Sequence, residues 1–389
     1  MHGGSGLAVH RFLFRAALAA GNVFAWVIVF RVFYVAVRDL EVALAGVVAL
    51  YALSHCISFV LTPLAGRALR RGVKKTLLLG TVFGALAFLL LAALFLADPS
   101  RDAVFWAIGA FAVVQGVYRA FYFIPYETAN AGAQSLTPIF REAAIALVPA
   151  LAGFVLTEYR EGPAILFAAC TALMLLSALA VARRAETYES YEWTYAATVR
   201  ELFARKNHLA TGLFLLDGIQ GAVLLLIWPL AVFLLVGSFR TLGAVLTATL
   251  CVAFLGRFLV KKFLRSLALH SPFVLATIVF STWIVKLAAA SPAQVLAVNI
   301  AYTSGTSPVR FNVDPHAFEQ PADGGHFIDE YTAVKEMGLS LGRVSMCILF
   351  IVLLLTTAES LAFATAIITA AIAAAWSVFL AHRLQKAVY

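Results

Sequence analysis

Two charged side chains stand where charge is hard to hold. Asp217 lies about nine residues into an apolar run that begins at Leu209, and Arg119 lies among apolar and aromatic residues six positions before Pro125. At 1.5 Å per residue of helix, the acid is about 14 Å and the base about 10 Å from the ends of their runs. Such groups are expensive inside a membrane and mark pathways or solute sites. If the two meet, removing one partner of the buried pair costs roughly 3–5 kcal/mol. Protonation of Asp217, or an arriving carboxylate or phosphate on Arg119, would then release a lock. The plainer reading is a permanent structural pair, or an acid hydrated in a polar cavity.

Around these two lies a set of uncharged candidates. Gln115 shares one helix face with Arg119 at i and i+4; Asn22, Gln220, Asn299 and Tyr302 fall in other apolar runs. They are contacts for a solute or, equally, interhelical hydrogen bonds. His55 either couples protons near neutrality or is a neutral core histidine. Arg31, beside Tyr34, either draws anions to an outer mouth or snorkels to the headgroups, and Lys286 is expected to snorkel as well. The polar island 310–330 carries Arg310, Asp314, His316, His326, Asp329 and Glu330. A catalytic or metal site there would define a membrane enzyme, but its spacing matches no ligand motif, and Gly324-Gly325 with nearby prolines reads as a loop. No phosphate-cradling Gly-x-x-x-x-Gly-Lys-Ser/Thr sequence occurs, which argues against ATP-driven chemistry. No cofactor and no metal are expected. Cys56, Cys170, Cys251 and Cys347 are scattered through apolar runs as small hydrophobes.

The elements that must position these residues are membrane spans. Of 389 residues, 62% are hydrophobic and only 13% charged, with a mean hydropathy of +0.92; soluble chains carry about a quarter charged residues. Segments long enough to cross lipid lie near Ala16–Val37, Val42–Ala65, Thr76–Ala97, Ala103–Pro125, Ile139–Thr157 and Pro163–Ala182. Six more lie near Leu209–Gly237, Leu242–Leu259, Pro272–Ala290, Ala293–Ser307, Val334–Thr356 and Ser360–Ala381. The net charge of +9 sits in short loops on one side, such as Arg67-Ala-Leu-Arg70-Arg71-Gly72-Val-Lys74-Lys75. That is the positive-inside pattern and not an affinity for nucleic acid. It predicts both termini in the cytoplasm and an inner-membrane, multi-pass protein whose partners are lipid, a small solute and protons, most simply as a monomer. Residues 185–207, with Tyr188, Tyr191, Trp193 and Tyr195, read as a cytoplasmic linker lying along the headgroups. It separates an N-terminal bundle, 1–184, from a C-terminal bundle, 208–389.

The halves echo one another. Gly66-Arg67-x-Leu69 answers Gly256-Arg257-x-Leu259, Arg119 before Pro125 answers Arg310 before Pro315, and Arg141-Glu142 answers Lys335-Glu336. The shared order makes a parallel duplication of six spans the best reading.

With six plus six spans, a basic middle linker and a charged loop after span two, the chain resembles the major facilitator superfamily over nearly its whole length. Arg70-Arg71-Gly72-Val73-Lys74-Lys75 is similar to the second half of that family's loop motif, Gly-x-Leu-Ala-Asp-Arg-x-Gly-Arg-Arg; the motif's Asp has no counterpart. Tyr122-Phe-Ile-Pro125-Tyr126-Glu127, with Arg141 beyond, resembles a pattern of the family's glycoside–cation symporters. The resemblance implies an all-α fold of twelve transmembrane helices in two pseudo-symmetric six-helix bundles. Spans one, four, seven and ten would line a cavity, so that Arg119 and Asp217 face each other. Span two would meet span eleven and span five meet span eight, setting Arg67 against Glu336 and Arg257 against Glu142 as an inter-bundle gate. The implied function is secondary transport of a small solute by alternating access, proton-coupled and tilted by Arg119 toward organic anions. The alternatives are the loop-based enzyme and a non-transporting receptor or assembly factor.

Overall fold

The computed structural model describes residues 3–97, 101–130, 139–264, 271–310 and 328–388, with residues 3–5, 101, 130, 139–140, 255–264, 307–310, 328, 385 and 387–388 contributing backbone alone. Apolar runs become helices wherever short polar or glycine-bearing turns interrupt them. The first half holds α1 (Gly3–Val37), α2 (Leu40–Ala68), α3 (Val73–Leu96), α4 (Arg101–Asn130), α5 (Ile139–Glu158) and α6 (Gly162–Ala182). A short linker helix, α7 (Tyr195–Leu202), follows. In the second half α8 (His208–Ala222) passes through a wide π turn, Val223–Ile227, into α9 (Trp228–Val236), and these together form span seven. Pro229 cannot donate to the ladder, and the widened turn just before it absorbs that break. Then come α10 (Phe239–Leu264), α11 (Pro272–Ile284), α12 (Pro292–Arg310), α13 (Ile328–Thr356) and α14 (Glu359–Val388). Eight spans among the described residues are long and apolar enough to cross a membrane, and two shorter apolar helices, Phe239–Phe254 and Pro272–Ala288, accompany them.

Pseudo-symmetry is visible in who packs on whom. In the first half α1 meets α5 and α6, α3 meets α4 and α6, and α2 meets α4. Six spans later, α8 meets α13 and α14, α11 meets α12 and α14, and α10 meets α12. Between halves α2 packs on α13 and α5 on α10, which are one contact seen twice. Lipid gives helices no hydrophobic reason to associate, so close approach of small residues must hold them. Gly153 and Gly243 supply it where α5 crosses α10: a Cβ on Gly243 would stand 2.3 Å from the Pro149 carbonyl oxygen. Gly218 and Gly342 do the same between α8 and α13. The outward faces keep Leu147, Leu151, Leu175, Leu176, Val352 and Leu355 exposed, as lipid-facing helices require.

The linker is bound more tightly than a headgroup belt would be. Tyr191 is fully buried and lies against Gly66, where a side chain would meet its ring at 2.4 Å. Burial raises the Tyr191 phenol above its usual range, so it stays neutral; its hydroxyl shares a 2.8 Å hydrogen bond with Thr198. Trp193 meets Tyr331 edge-on; Tyr188 and Tyr195 are the exposed members of this group. Glu186 of the linker accepts from the Lys74 amide at 2.8 Å, at the start of α3. Gly72, at φ 130°, has no room for a Cβ beside that carboxyl. The same linker reaches the second half where Glu330, at the start of α13, accepts from the Glu192 amide.

Candidate solute-binding site

The site assembles where α1, α2 and α4 of the first half face α13 of the second. Each contributes polar atoms to an apolar interior. From α1 comes Trp26, set edge-on to Tyr51 at 5.2 Å. Tyr51 and His55 stand one turn apart on α2, with ring centroids 4.7 Å apart. From α4 come Gln115 and Arg119, whose guanidinium carbon lies 5.7 Å from the Tyr51 ring centre. Arg343 of α13 is electrostatically coupled to both Tyr51 and Arg119. It reaches past Gly221 of α8, whose missing side chain leaves its Nε room at 3.2 Å from the Cβ position.

Buried polar atoms nearly always have partners. Here Trp26 Nε1, Tyr51 Oη, both His55 nitrogens, Gln115 Oε1, Arg119 Nε and Arg343 Nε are buried without one among the described residues. Neither arginine has a carboxylate within ion-pair distance among those residues. Glu336 is the acid whose field reaches both, from farther away. Two guanidinium groups against one remote acid leave the pocket cationic. Their planar forks suit a carboxylate or phosphate.

Sequence reasoning singled out Arg119, Gln115 and His55, which the structure brings together. It missed Arg343, although an arginine seven residues beyond Glu336, inside an apolar run, is itself an intramembrane charge.

Several expectations fall elsewhere. Arg119 does not pair with Asp217: the arginine turns to α2 and α13, whereas Asp217 lies on the face of α8 that lines a separate cleft of about 390 Å³. There Gln220 donates to it at 3.2 Å, and Gly221, Tyr302, Thr306 and Lys335 share the walls. Arg67 forms no ion pair with Glu336; it is exposed at the end of α2, while Glu336 is buried. The described link between halves on this face is instead Glu127 of α4 with Lys335 of α13, at 2.7 and 3.0 Å. Glu142 is bidentate with Arg15 of α1 inside the first half; its expected partner, the Arg257 side chain, lies outside the described residues, as do His316 and His326. Asn22 is half-buried on α1. Arg31 is exposed over Phe239, 5.6 Å from the ring centre, and lines a far-face cleft of about 1060 Å³. Lys286 does not snorkel: it turns inward and is 2% exposed, with Asn299 and Tyr302 beside it.

Two six-helix halves around a polar, cationic seam define the major facilitator fold. The structure is similar to a mutant form of the nucleoside transporter NupG, at TM-score 0.64 and 15% identity over 98% of each chain. It is similar to a mutant form of the peptide transporter POT, at TM-score 0.65 and 12% identity, covering 99% of this chain and 95% of that one. A D-xylose-proton symporter matches at TM-score 0.60 and 14% identity over 94% of each chain. At these identities the likeness is one of fold. No family model and no curated protein matches the sequence.

Proposed function

We propose that the chain is a secondary transporter that carries a small organic anion, a carboxylate or a phosphate ester, by alternating access. The observation that carries this reading is the pair of unneutralised arginines, Arg119 and Arg343, contributed by opposite halves to one buried site. An anion bound between them draws the halves together, so binding and rocking become one event. Protons are the coupling ion, with Asp217 as the carboxylate of the neighbouring cleft; one of the structural neighbours is itself named a proton symporter. Glu127 and Lys335 form the gate on the linker face, and the positive loop charges support a cytoplasmic position for that face.

A stability panel tests the anion reading. Purified protein is melted with short mono- and dicarboxylates, sugar phosphates, neutral sugars, nucleosides and dipeptides. The expected result is that one acidic class raises the melting temperature of the parent and not of Arg119→Ala or Arg343→Ala. Stabilisation by a neutral solute that survives in both variants would contradict it.

A further inference from the structure

Lys286 is the most deeply buried lysine among the described residues, and the reading above gives it no role. It sits on the tight turn Val285–Ala288 that ends α11, with its neighbours Val285 and Leu287 pointing outward, 44% and 42% exposed. Its ammonium donates to Asn299 Oδ1 at 3.0 Å and stands 4.3 Å from the Trp228 ring centre, 4.7 Å from Tyr302 and 5.9 Å from Trp283. Asn299 is held in that orientation by Trp228 Nε1, which donates to the same oxygen at 3.0 Å, and by its own amide nitrogen, 3.4 Å from Thr249 Oγ1. No carboxylate among the described residues lies within ion-pair distance of the ammonium.

The cage forms a partition. On one side Lys286 lines a cleft of about 190 Å³ between Val23 of α1 and the second half, with Thr249, Asn299, Tyr302 and Thr303. On the other it lines a recess of about 390 Å³ at the far face, beside Glu359 and Ser360 at the start of α14. The titratable groups facing it are thus Glu359 from α14 and Tyr302 from α12; α9, α10 and α11 present Trp228, Thr249 and Trp283. Tyr302 also lines the cleft that holds Asp217, so the two clefts share a wall.

An arginine would never yield its proton. Lysine can yield it. The neutral amine keeps an N–H for Asn299 Oδ1, so the site accommodates both states, and the ring faces hold the charged one.

We propose that Lys286 is a proton-binding site of the second half, loaded from the far-face recess and unloaded toward the cleft shared with Asp217. The bound proton leaves from Nζ to cleft water, the nitrogen keeps the electron pair, and a proton from the recess beside Glu359 restores the ammonium. The purpose of this step rests on the transporter reading; its direct test does not.

That test is a titration by NMR of the full-length protein in lipid nanodiscs, with its lysines isotope-labelled at Cε. The Lys286 signal is identified twice, by its loss in Lys286→Arg and by its shift in Trp228→Leu, which removes the ring current. The expected result is movement between the ammonium and amine positions between about pH 5 and 9, whereas ordinary lysines hold the ammonium position to about pH 10. A Lys286 signal that also holds to about pH 10 overturns the proposal. With a carboxylate that the parent accumulates in proteoliposomes, Lys286→Gln keeps solute exchange at parental rate and loses accumulation driven by a pH gradient. Retained accumulation, or loss of exchange as well, overturns it. A parent that moves no carboxylate refutes the anion reading and leaves the titration to decide this one.

Discussion

Arg119 and Arg343 differ from the loop arginines in burying their Nε atoms with no acid within ion-pair distance among the described residues. A lysine at either place would keep the charge and lose the planar fork, so Arg119→Lys and Arg343→Lys should each weaken binding of the acid found in the stability panel. The expected loss is tenfold or more, about 1.4 kcal/mol, read by isothermal titration. An unchanged affinity in both would remove the site. Arg119 was legible in the sequence because it interrupts an apolar run beside Gln115. Its true partners were not, because they come from α2 and α13, and no spacing within α4 encodes which distant helix a side chain will face. Lys286 shows the same limit. Its position near the end of a span reads as snorkelling, and only the tight turn after Ile284 turns it inward.

Among elements, the crossings are fixed by residues that lack side chains. Gly243→Val should lower the melting temperature, since the new Cβ would lie 2.3 Å from a backbone oxygen of α5 and overpacking costs roughly 1–3 kcal/mol. Gly109→Ala, where nothing lies within 4 Å, should change little, and equal melting curves for the two would refute the crossing. The Glu127–Lys335 pair is partly exposed, with side chains 27% and 17% accessible. A double-mutant cycle with Glu127→Gln and Lys335→Gln should therefore find a coupling of about 0.2–1 kcal/mol, and a coupling indistinguishable from zero would show that it is no gate. Most helix ends were legible: the expected seventh span, Leu209–Gly237, differs by a residue from the helical stretch His208–Val236. The gate partners were not, because Glu336 lies beneath the surface that Arg67 occupies, although both belong to the α2–α13 contact. Gly66-Arg67 opens the loop whose far end, at Gly72 and Lys74, is held by Glu186 of the linker.

The whole molecule is two halves joined along a seam; matching glycines and charges in the sequence suggested the duplication, whereas the pairing of α2 with α13 and of α5 with α10 was implied by the family resemblance. Alternating access demands that the two faces move in opposite senses. Spin labels at Val35 and Leu235, one from each half on the far face, and at Arg71 and Arg383 on the linker face, report this motion when Cys56 and Cys251 are replaced by Ser. Adding the stabilising acid should shorten one distance distribution and lengthen the other; parallel changes, or none, would contradict a rocking mechanism. On the proposed function, an anion crosses the membrane through the seam to which the two halves contribute Arg119 and Arg343. Uptake of a radiolabelled carboxylate or sugar phosphate into proteoliposomes tests it most directly. The expected result is saturable uptake by the parent that falls at least tenfold in Arg119→Lys and in Arg343→Lys. Parental uptake in both variants, or uptake restricted to neutral solutes, would contradict it.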